Sequence, residues 1–256
     1  MGGERRERIV RSPLRLAPAR LALSAALAAA CAPALAAGLQ VTPTSLTLAH
    51  DRPADALWLS NTGPATLHAQ VRVFRWSQAD GQERLDPDPG LAISPPMLEL
   101  APGARQLVRV IRLGAPPERE GAYRLIVDEL PTAQTPAPPG LQFVLRYSVP
   151  VFLAPAGGAA GAPRLRAQFQ FEGERPWLAV DNRGDRRAQL ADVAFVDAQG
   201  RRHALAPGLL GYALAGQRMR WPLQTAAEPL HGAGELKARI NGEPTEQALA
   251  LDPPAR

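Results

Sequence analysis

Short segments of alternating apolar and polar residues recur along this chain, and turn residues separate them. The alternation is clear in residues 65–76, 105–113 and 141–153. A period of two residues predicts β-strands with one apolar face, and no segment has the longer period of an amphipathic helix. About seven such strands precede residue 154, which is the number and spacing of an immunoglobulin-like sandwich. The chain is therefore predicted to be all-β.

A second set of strand-like segments follows a stretch of small residues. Residues 156–163 read AGGAAGAP, which is the composition of a linker. We predict an N-terminal immunoglobulin-like domain over residues 37–155 and a C-terminal one over residues 164–256. One large irregular β-domain is the alternative.

The first 36 residues have the pattern of a secretory signal peptide. Six arginines come before an apolar run at 21–38, and an Ala-Leu-Ala sequence lies at 34–36. A basic start, a short apolar core and this ending are typical of exported proteins. An uncleaved anchor and a lipoprotein acylated at Cys31 are the alternatives. We predict a cleaved signal peptide over residues 1–36 and a periplasmic location.

Removal of the predicted signal peptide is a first testable prediction. Protein recovered from the periplasm should lack about the first 36 or 37 residues, because signal peptidase removes such a leader. Intact-mass measurement of a periplasmic extract checks this, with the cytoplasmic fraction of the same cells as the control. A full-length protein confined to the cytoplasm would contradict the prediction.

Charge and cysteine content narrow the classes of function. The whole chain carries +5, but the first 36 residues hold six arginines and two glutamates. The remainder therefore carries about +1, which gives no reason to expect a nucleic-acid partner. The single cysteine, Cys31, lies in the leader, so no disulfide is expected after export.

The sequence lacks the motifs of catalysis and metal binding. No two of the four histidines have metal-ligand spacing, and there is no nucleophile elbow, P-loop or Gly-rich phosphate motif. The adjacent acids Asp128 and Glu129 lie on a predicted strand, where neighbours point to opposite faces. We therefore predict a protein that is not an enzyme, with no metal, cofactor or small-molecule substrate.

The strand predicted over residues 141–153 has a strongly apolar face. Its first large apolar side chains fall on every second position: Leu141, Phe143, Leu145 and Tyr147. Pro150 lies within the strand, and proline has no N–H for a ladder, so the strand belongs at a sheet edge or a bulge. An apolar open edge promotes aggregation unless it is covered. Such a face packs either on the core of its own domain or on a partner.

Several segments resemble the periplasmic pilus-assembly chaperones. Three lie in the first predicted domain: SPPMLELAPGARQLVRVIRL at 94–113, YRLIVDELP at 123–131 and LQFVLRYSVPVFLAP at 141–155. Residues 178–193 and 208–221 are similar to the second domain of that family, most closely to its archaic, spore-coat-U-type branch. The resemblance implies two immunoglobulin-like domains set as a boomerang. It also implies a chaperone that binds pilus or fimbrial subunits and delivers them to an outer-membrane usher.

The resemblance implies a use for the apolar strand. Pilus subunits are sandwiches without their final strand, and the chaperone lends its own strand in that place, which is donor-strand complementation. Leu141, Phe143 and Leu145 match the donor residues of the family, and Tyr147 continues their face. Three buried anchors would contribute roughly 4–9 kcal/mol before ordering costs. Because an open edge also pairs with a copy of itself, self-association of the free chaperone is expected too.

The family's usual anchor for the subunit carboxylate is missing. Its basic pair falls here at Ser45 and Pro150. A tight hairpin before the last strand would place Arg124 opposite Arg146 or the next residue, and two adjacent arginines need an anion between them. We therefore predict Arg124 and Arg146 as the candidate carboxylate anchor. Two solvated arginines, with Arg124 held by Asp128, are the alternative.

The family's hinge ion pair is only half present at its expected positions. Glu129 matches the acidic residue of the hinge, but Ala154 stands where an arginine is expected just before Pro155. We therefore predict Glu129 as a candidate hinge residue.

Two other functions compete with the chaperone. A surface-exposed adhesive or structural β-sandwich protein would need an anchor, and an enzyme would need a convergent polar site; the sequence shows neither.

Overall fold

A computed structural model describes residues 38–131, 144–157 and 161–253. These residues belong to one compact unit, Ala37–Arg256, which contains 17 strands and a 3₁₀-helix at Glu228–His231. None of the helical structure in these ranges is long and apolar enough to cross a membrane. The predicted all-β class is confirmed.

Ten strands form the first sandwich. They are β1 (Leu39–Thr42), β2 (Leu46–Leu48), β3 (Ala54–Asn61), β4 (Leu67–Ala79), β5 (Gln82–Asp86), β6 (Leu91–Ser94), β7 (Met97–Leu100), β8 (Arg105–Arg112), β9 (Gly121–Leu130) and β10 (Arg146–Leu153). One sheet has the order β1-β3-β8-β6, and the other has the order β2-β10-β9-β4-β5, with β7 beside β4. The inward side chains of the two sheets form one apolar core, which includes Leu57, Val108, Leu125 and Val151.

Residues 39–48 contain two strands that belong to different sheets. β1 pairs antiparallel with β3, whereas β2 pairs parallel with β10. Pro43 lies between them, and a proline cannot donate to a ladder. The chain therefore changes sheets here, and β2 covers only residues 151–153 of β10.

Seven strands form the second sandwich. They are β11 (Leu165–Glu172), β12 (Arg175–Asn182), β13 (Ala188–Asp197), β14 (Arg202–Ala213), β15 (Arg218–Pro222), β16 (Gly234–Ile240) and β17 (Glu246–Asp252). Their hydrogen-bonded order is β14-β13-β16-β17-β11-β12-β15. The layers close over a second apolar core, in which Phe169 of β11 meets Phe195 of β13 with ring centroids 5.5 Å apart.

β14 is a strand that the sequence pattern did not predict. It contains Pro207, Gly208 and Gly211, residues that normally weaken strands. The ladder between β13 and β14 tolerates them because its register shifts three times, as at β-bulges. This strand matters because it forms one wall of the cleft described below.

The two sandwiches meet over a small apolar cluster of Trp76, Ala122, Phe152 and Leu214. The Trp76 ring packs edge-on against Tyr212 of the second sandwich at 5.3 Å. Gln78 adds polar contacts, because its side chain donates to the Tyr212 carbonyl at 2.6 Å and accepts from the Leu214 N–H at 2.9 Å. These contacts position the walls of the cleft.

Candidate functional site

The first half of β10 is an open sheet edge. β9 pairs with all of β10, from Arg146 to Leu153, but β2 covers only the last three residues on the other side. Within the described part of the chain, no strand lies beside residues 146–150 on that side. The apolar strand predicted from sequence therefore lies at a sheet edge, and half of that edge is uncovered.

The direction of the backbone groups follows from the ladder. The Glu129 N–H donates to the Leu145 carbonyl at 2.9 Å. Because bonded groups alternate along an antiparallel strand, residues 147 and 149 also point their backbone groups to β9, and residues 146 and 148 point theirs to the open side. Pro150 belongs to the second set, so its missing N–H takes no bond from β9. Pairing with β2 therefore begins only after Pro150, and the ladder with β9 keeps all its hydrogen bonds at this position.

The predicted donor residues are only partly within the described ranges. Leu141 and Phe143 lie outside them. Leu145 is half-buried against the core of the first sandwich, and so is Tyr147, whose hydroxyl donates to the Leu39 carbonyl at 2.6 Å. Tyr147 therefore both packs on the core of its own sandwich and is fixed there by a hydrogen bond, which Leu145 cannot form. We narrow the candidate donor set to Leu141, Phe143 and Leu145.

A cleft of about 390 Å³ adjoins the open edge and lies between the two sandwiches. Its walls are lined on the first sandwich by Thr44, Glu83, Arg124, Ser148 and Pro150, and on the second by residues that include Leu209 and Tyr212. Leu209 is 60% exposed there, which is unusual for a large apolar side chain. The cleft thus combines an open backbone edge, an apolar wall and a single arginine.

Arg124 is a partly buried cation with little charge compensation. Its side chain is 14% exposed, and its guanidinium stacks 3.7 Å above the Trp76 ring. The carboxylate nearest to it, that of Glu83, is 3.8 Å away. Burial lowers the pKa of Arg124, although Glu83 and Tyr212 oppose this, and an arginine in this state remains charged at neutral pH. Such a group is suited to binding an anion.

The predicted pairing of Arg124 with Arg146 is wrong. In the observed register Arg124 lies opposite Pro150, and Arg146 lies opposite Asp128. The observed register is shifted by four positions from the expected one, since Asp128 and not Arg124 pairs with Arg146. The alternative is wrong as well, since Asp128 does not hold Arg124.

Arg146 instead belongs to a cluster outside the cleft. Asp128 accepts hydrogen bonds from Arg146 and, at 2.7 Å, from Arg72. Burial alone would raise the pKa of Asp128, but the hydrogen bonds from the two arginines outweigh it and hold the pKa below its usual value. Arg146 therefore has a partner within its own sandwich, whereas Arg124 faces the cleft.

Glu129 is not at the junction of the sandwiches. It lies near the opposite end of β9, where its carboxylate accepts from the Leu145 N–H at 3.3 Å. The junction holds a different acid, Glu120, which comes just before β9. Glu120 accepts from the Arg187 backbone N–H at 2.8 Å and its guanidinium at 2.6 Å. The prediction for Glu129 is wrong because Glu129 lies near the far end of β9, whereas Glu120 at the junction comes just before the strand begins.

Arg187 was not identified from the sequence. Its guanidinium lies 3.5 Å from the centre of the Phe152 ring, so it contacts β10 as well as Glu120. The only signal was the Arg186–Arg187 pair after a turn in the second sandwich, which did not reveal a contact with the first.

No group of three or more His, Cys, Asp and Glu side chains with the arrangement of a metal site occurs in the described ranges. The polar groups around the cleft are the Arg124 guanidinium, the Glu83 carboxylate, and amide, hydroxyl and backbone groups. Groups of these kinds can bind an extended chain and an anion.

Comparisons with known proteins agree on one family. Residues 38–159 match the family described as pili and flagellar-assembly chaperone, PapD N-terminal domain. Chaperone protein FimB/FhaD of Bordetella pertussis is 31% identical over 162 residues, which cover 59% of this chain and 64% of that protein. The matched region is therefore less than two thirds of the relative's length.

Solved structures share the fold. A chain in the CsuC–CsuE chaperone–tip adhesion subunit complex, from archaic Csu pili of Acinetobacter baumannii, has a TM-score of 0.66 and 22% identity, over 84% of this chain and 98% of that chain. A chain in the complex of the SafA pilin with the SafB chaperone, from Salmonella enterica, has a TM-score of 0.57 and 18% identity, over 84% of this chain and 96% of that chain. These neighbours have two immunoglobulin-like domains, which confirms the predicted fold class.

Proposed function

We propose that the chain is a member of the pilus-assembly chaperone family, that it binds pilus subunits by donor-strand complementation, and that it delivers them to an outer-membrane usher. The family and its fold are non-enzymatic. The single observation that carries the proposal is the open first half of β10 beside a cleft with a partly buried arginine, whose nearest carboxylate is 3.8 Å away.

The open edge supplies the backbone part of subunit binding. A partner strand that pairs with residues 146–150 would gain main-chain hydrogen bonds, which are independent of its side chains. By the alternation of the sequence, Phe143 and Leu141 continue the face of Leu145. We propose that these three side chains fill the groove that an incomplete subunit exposes.

We propose Arg124 alone as the anchor for the subunit carboxylate. In register it lies opposite Pro150, the position at which the family resemblance places a lysine. An arginine on the neighbouring strand can therefore reach the same part of the cleft. Its guanidinium fork suits a carboxylate, and its low exposure strengthens the interaction.

The remaining parts of the proposal concern the boundaries and the compartment. We propose a cleaved signal peptide over residues 1–36, domains over residues 37–155 and 164–256, and a periplasmic location. Membership of the archaic branch remains a proposal that rests on the similarity of residues 178–193 and 208–221 to that branch. We also propose that a second copy of the free protein caps the open edge, because an unpaired strand edge can pair with a copy of itself.

Co-expression with a subunit tests the donor strand. Phe143→Asp should abolish recovery of soluble subunit, because a charge in an apolar groove costs at least about 2 kcal/mol. Val144→Asp is the matched control, since Val144 is 52% exposed and, by the alternation, points to the opposite face. The measurement is the amount of subunit that copurifies with each variant, alongside thermal melts of the free proteins.

Leu145→Asp separates the two uses of the strand. Because Leu145 packs on its own core, this variant should lose thermal stability as well as subunit. If Phe143→Asp captures subunit as the wild type does, the donor-strand proposal is wrong. If Phe143→Asp unfolds without subunit present, the residue belongs to the chaperone's own core.

A further inference from the structure

Two opposite charges lie together in the cleft between the sandwiches. Among the described residues that line it, Glu83 is the one acid and Arg124 is the one base. A carboxylate oxygen of Glu83 lies 3.8 Å from a guanidinium nitrogen of Arg124, which is longer than a hydrogen bond. The buried pair of Glu120 and Arg187 is at 2.6 Å instead. Glu83 is therefore close enough to stabilise the cation, but it does not take up the hydrogen-bond donors of Arg124.

Glu83 lies on a strand that leaves its side chain free to turn. In the described part of the chain β5 pairs only with β4, and all five of its residues are exposed. In register Glu83 lies opposite Gln78, which contacts the second sandwich, so both side chains are on the face of the sheet that borders the cleft. The Glu83 side chain is 42% exposed, and Arg124 is its one ion-pair partner within the described ranges. Its carboxylate can therefore turn to water without breaking another contact.

Arg124, by contrast, is fixed in place. Its side chain is 14% exposed, and its guanidinium lies between two aromatic rings, 3.7 Å from the centre of the Trp76 ring and 5.7 Å from that of Tyr212. Burial disfavours its charged form, and the charge of Glu83 is the largest influence that opposes this. A fixed cation beside a movable carboxylate allows one anion to be exchanged for another.

A subunit carboxylate at Arg124 would compete with Glu83. A charge-assisted hydrogen bond needs about 2.7–2.9 Å between the guanidinium nitrogen and the carboxylate oxygen. With Glu83 still beside the same guanidinium, two negative charges would share one site, which is unfavourable for both. Glu83 also stabilises the free state that subunit binding has to leave. Both effects lower the affinity for an anion, so removal of the Glu83 charge should raise it.

We propose that Glu83 is an internal competitor for the carboxylate position at Arg124. It neutralises Arg124 in the free protein and turns to solvent when the C-terminal carboxylate of a subunit binds. This inference rests on the proposed function, to which it adds a residue that limits how tightly the anchor holds its subunit. Because most affinity differences between variants of one interface are in the dissociation rate, Glu83 should act mainly by speeding release of the subunit.

Titration of two peptides into the purified protein tests the proposal. Both peptides have the C-terminal sequence of the co-expressed subunit, but one ends in a free carboxylate and the other in an amide. Glu83→Gln keeps the shape of the side chain and removes its charge, so it should bind the free-carboxylate peptide at least about three-fold more tightly than the wild type does. Its binding of the amide peptide should not change. Addition of Arg124→Met to Glu83→Gln should remove the gain.

Asp86→Asn is the matched control. Asp86 is exposed on the same strand and does not line the cleft, so this variant loses the same charge away from Arg124. Equal tightening by Asp86→Asn would overturn the proposal, because the gain would then follow net charge. Tighter binding of the amide peptide by Glu83→Gln would overturn it too. Thermal melts check that each variant is folded.

The preference for the free carboxylate separates this proposal from the proposed anchor. A stronger preference in Glu83→Gln than in the wild type, together with slower dissociation of the peptide, supports the competitor. If the wild type prefers the free carboxylate and Glu83→Gln does not strengthen that preference, the competitor is wrong while Arg124 stands as the anchor. If neither protein prefers the free carboxylate, both the competitor and the anchor are wrong.

Discussion

Replacing Arg124 with methionine is expected to abolish capture of subunits while the free protein stays folded. Methionine keeps an apolar chain over the Trp76 ring but removes the charge from the cleft. Truncating one partner of a buried charged contact typically weakens binding by about 2–5 kcal/mol. We therefore expect the affinity for a subunit to fall by at least about thirty-fold.

The reason lies in the surroundings of Arg124. Glu83, at 3.8 Å, is the one carboxylate in salt-bridge range of Arg124 within the described residues, and burial already disfavours the charged form of this arginine. A subunit carboxylate would supply the missing charge. Arg124→Lys should rescue capture only in part, because an ammonium group lacks the planar fork.

Two controls make the Arg124 experiment specific. Arg146→Ala should leave carboxylate recognition unchanged, since Arg146 binds Asp128 outside the cleft. A synthetic peptide with the subunit's C-terminal sequence should bind the wild type more tightly with a free carboxylate than with a terminal amide, and Arg124→Met should remove that difference. Equal binding of both peptides to the wild type would show that the anchor lies elsewhere.

Replacing Glu120 with alanine is expected to destabilise the folded protein by about 3–5 kcal/mol, the usual cost of breaking a buried ion pair. The Glu120 side chain is 2% exposed and that of Arg187 is 25% exposed. Without Glu120, Arg187 loses its carboxylate, and its backbone N–H loses an acceptor. The contact between the sandwiches should weaken first.

Denaturant unfolding of the free protein measures this effect. Glu118→Ala is the matched control, because Glu118 is exposed two residues earlier and should change stability by less than about 0.5 kcal/mol. Arg187→Ala should also destabilise the protein, and the double variant should lose much less than the sum of the two single changes. Additive losses would mean that Glu120 and Arg187 act independently.

Much of the fold could be predicted because strand alternation is local. The faces of β8 and β9 follow directly from the period of two, since successive side chains of a strand must point to opposite sides. Pro150 likewise indicated an edge, because the lack of an N–H is a property of that residue alone. β14 escaped prediction because bulges let it contain Pro207 and Gly211, and a bulge depends on the neighbouring strand.

The sequence by itself determined the all-β class, the apolar face of the last strand of the first sandwich, and the absence of the family's basic pair from Ser45 and Pro150. Only the tertiary structure decided which cation faces the cleft and which ion pair joins the two sandwiches. The register of β9 and β10 places Arg124 opposite Pro150, and packing of the sandwiches joins Glu120 to Arg187, 67 residues further on. Register and packing depend on loop paths and on contacts between distant segments, and the alternation within a strand carries no information about either.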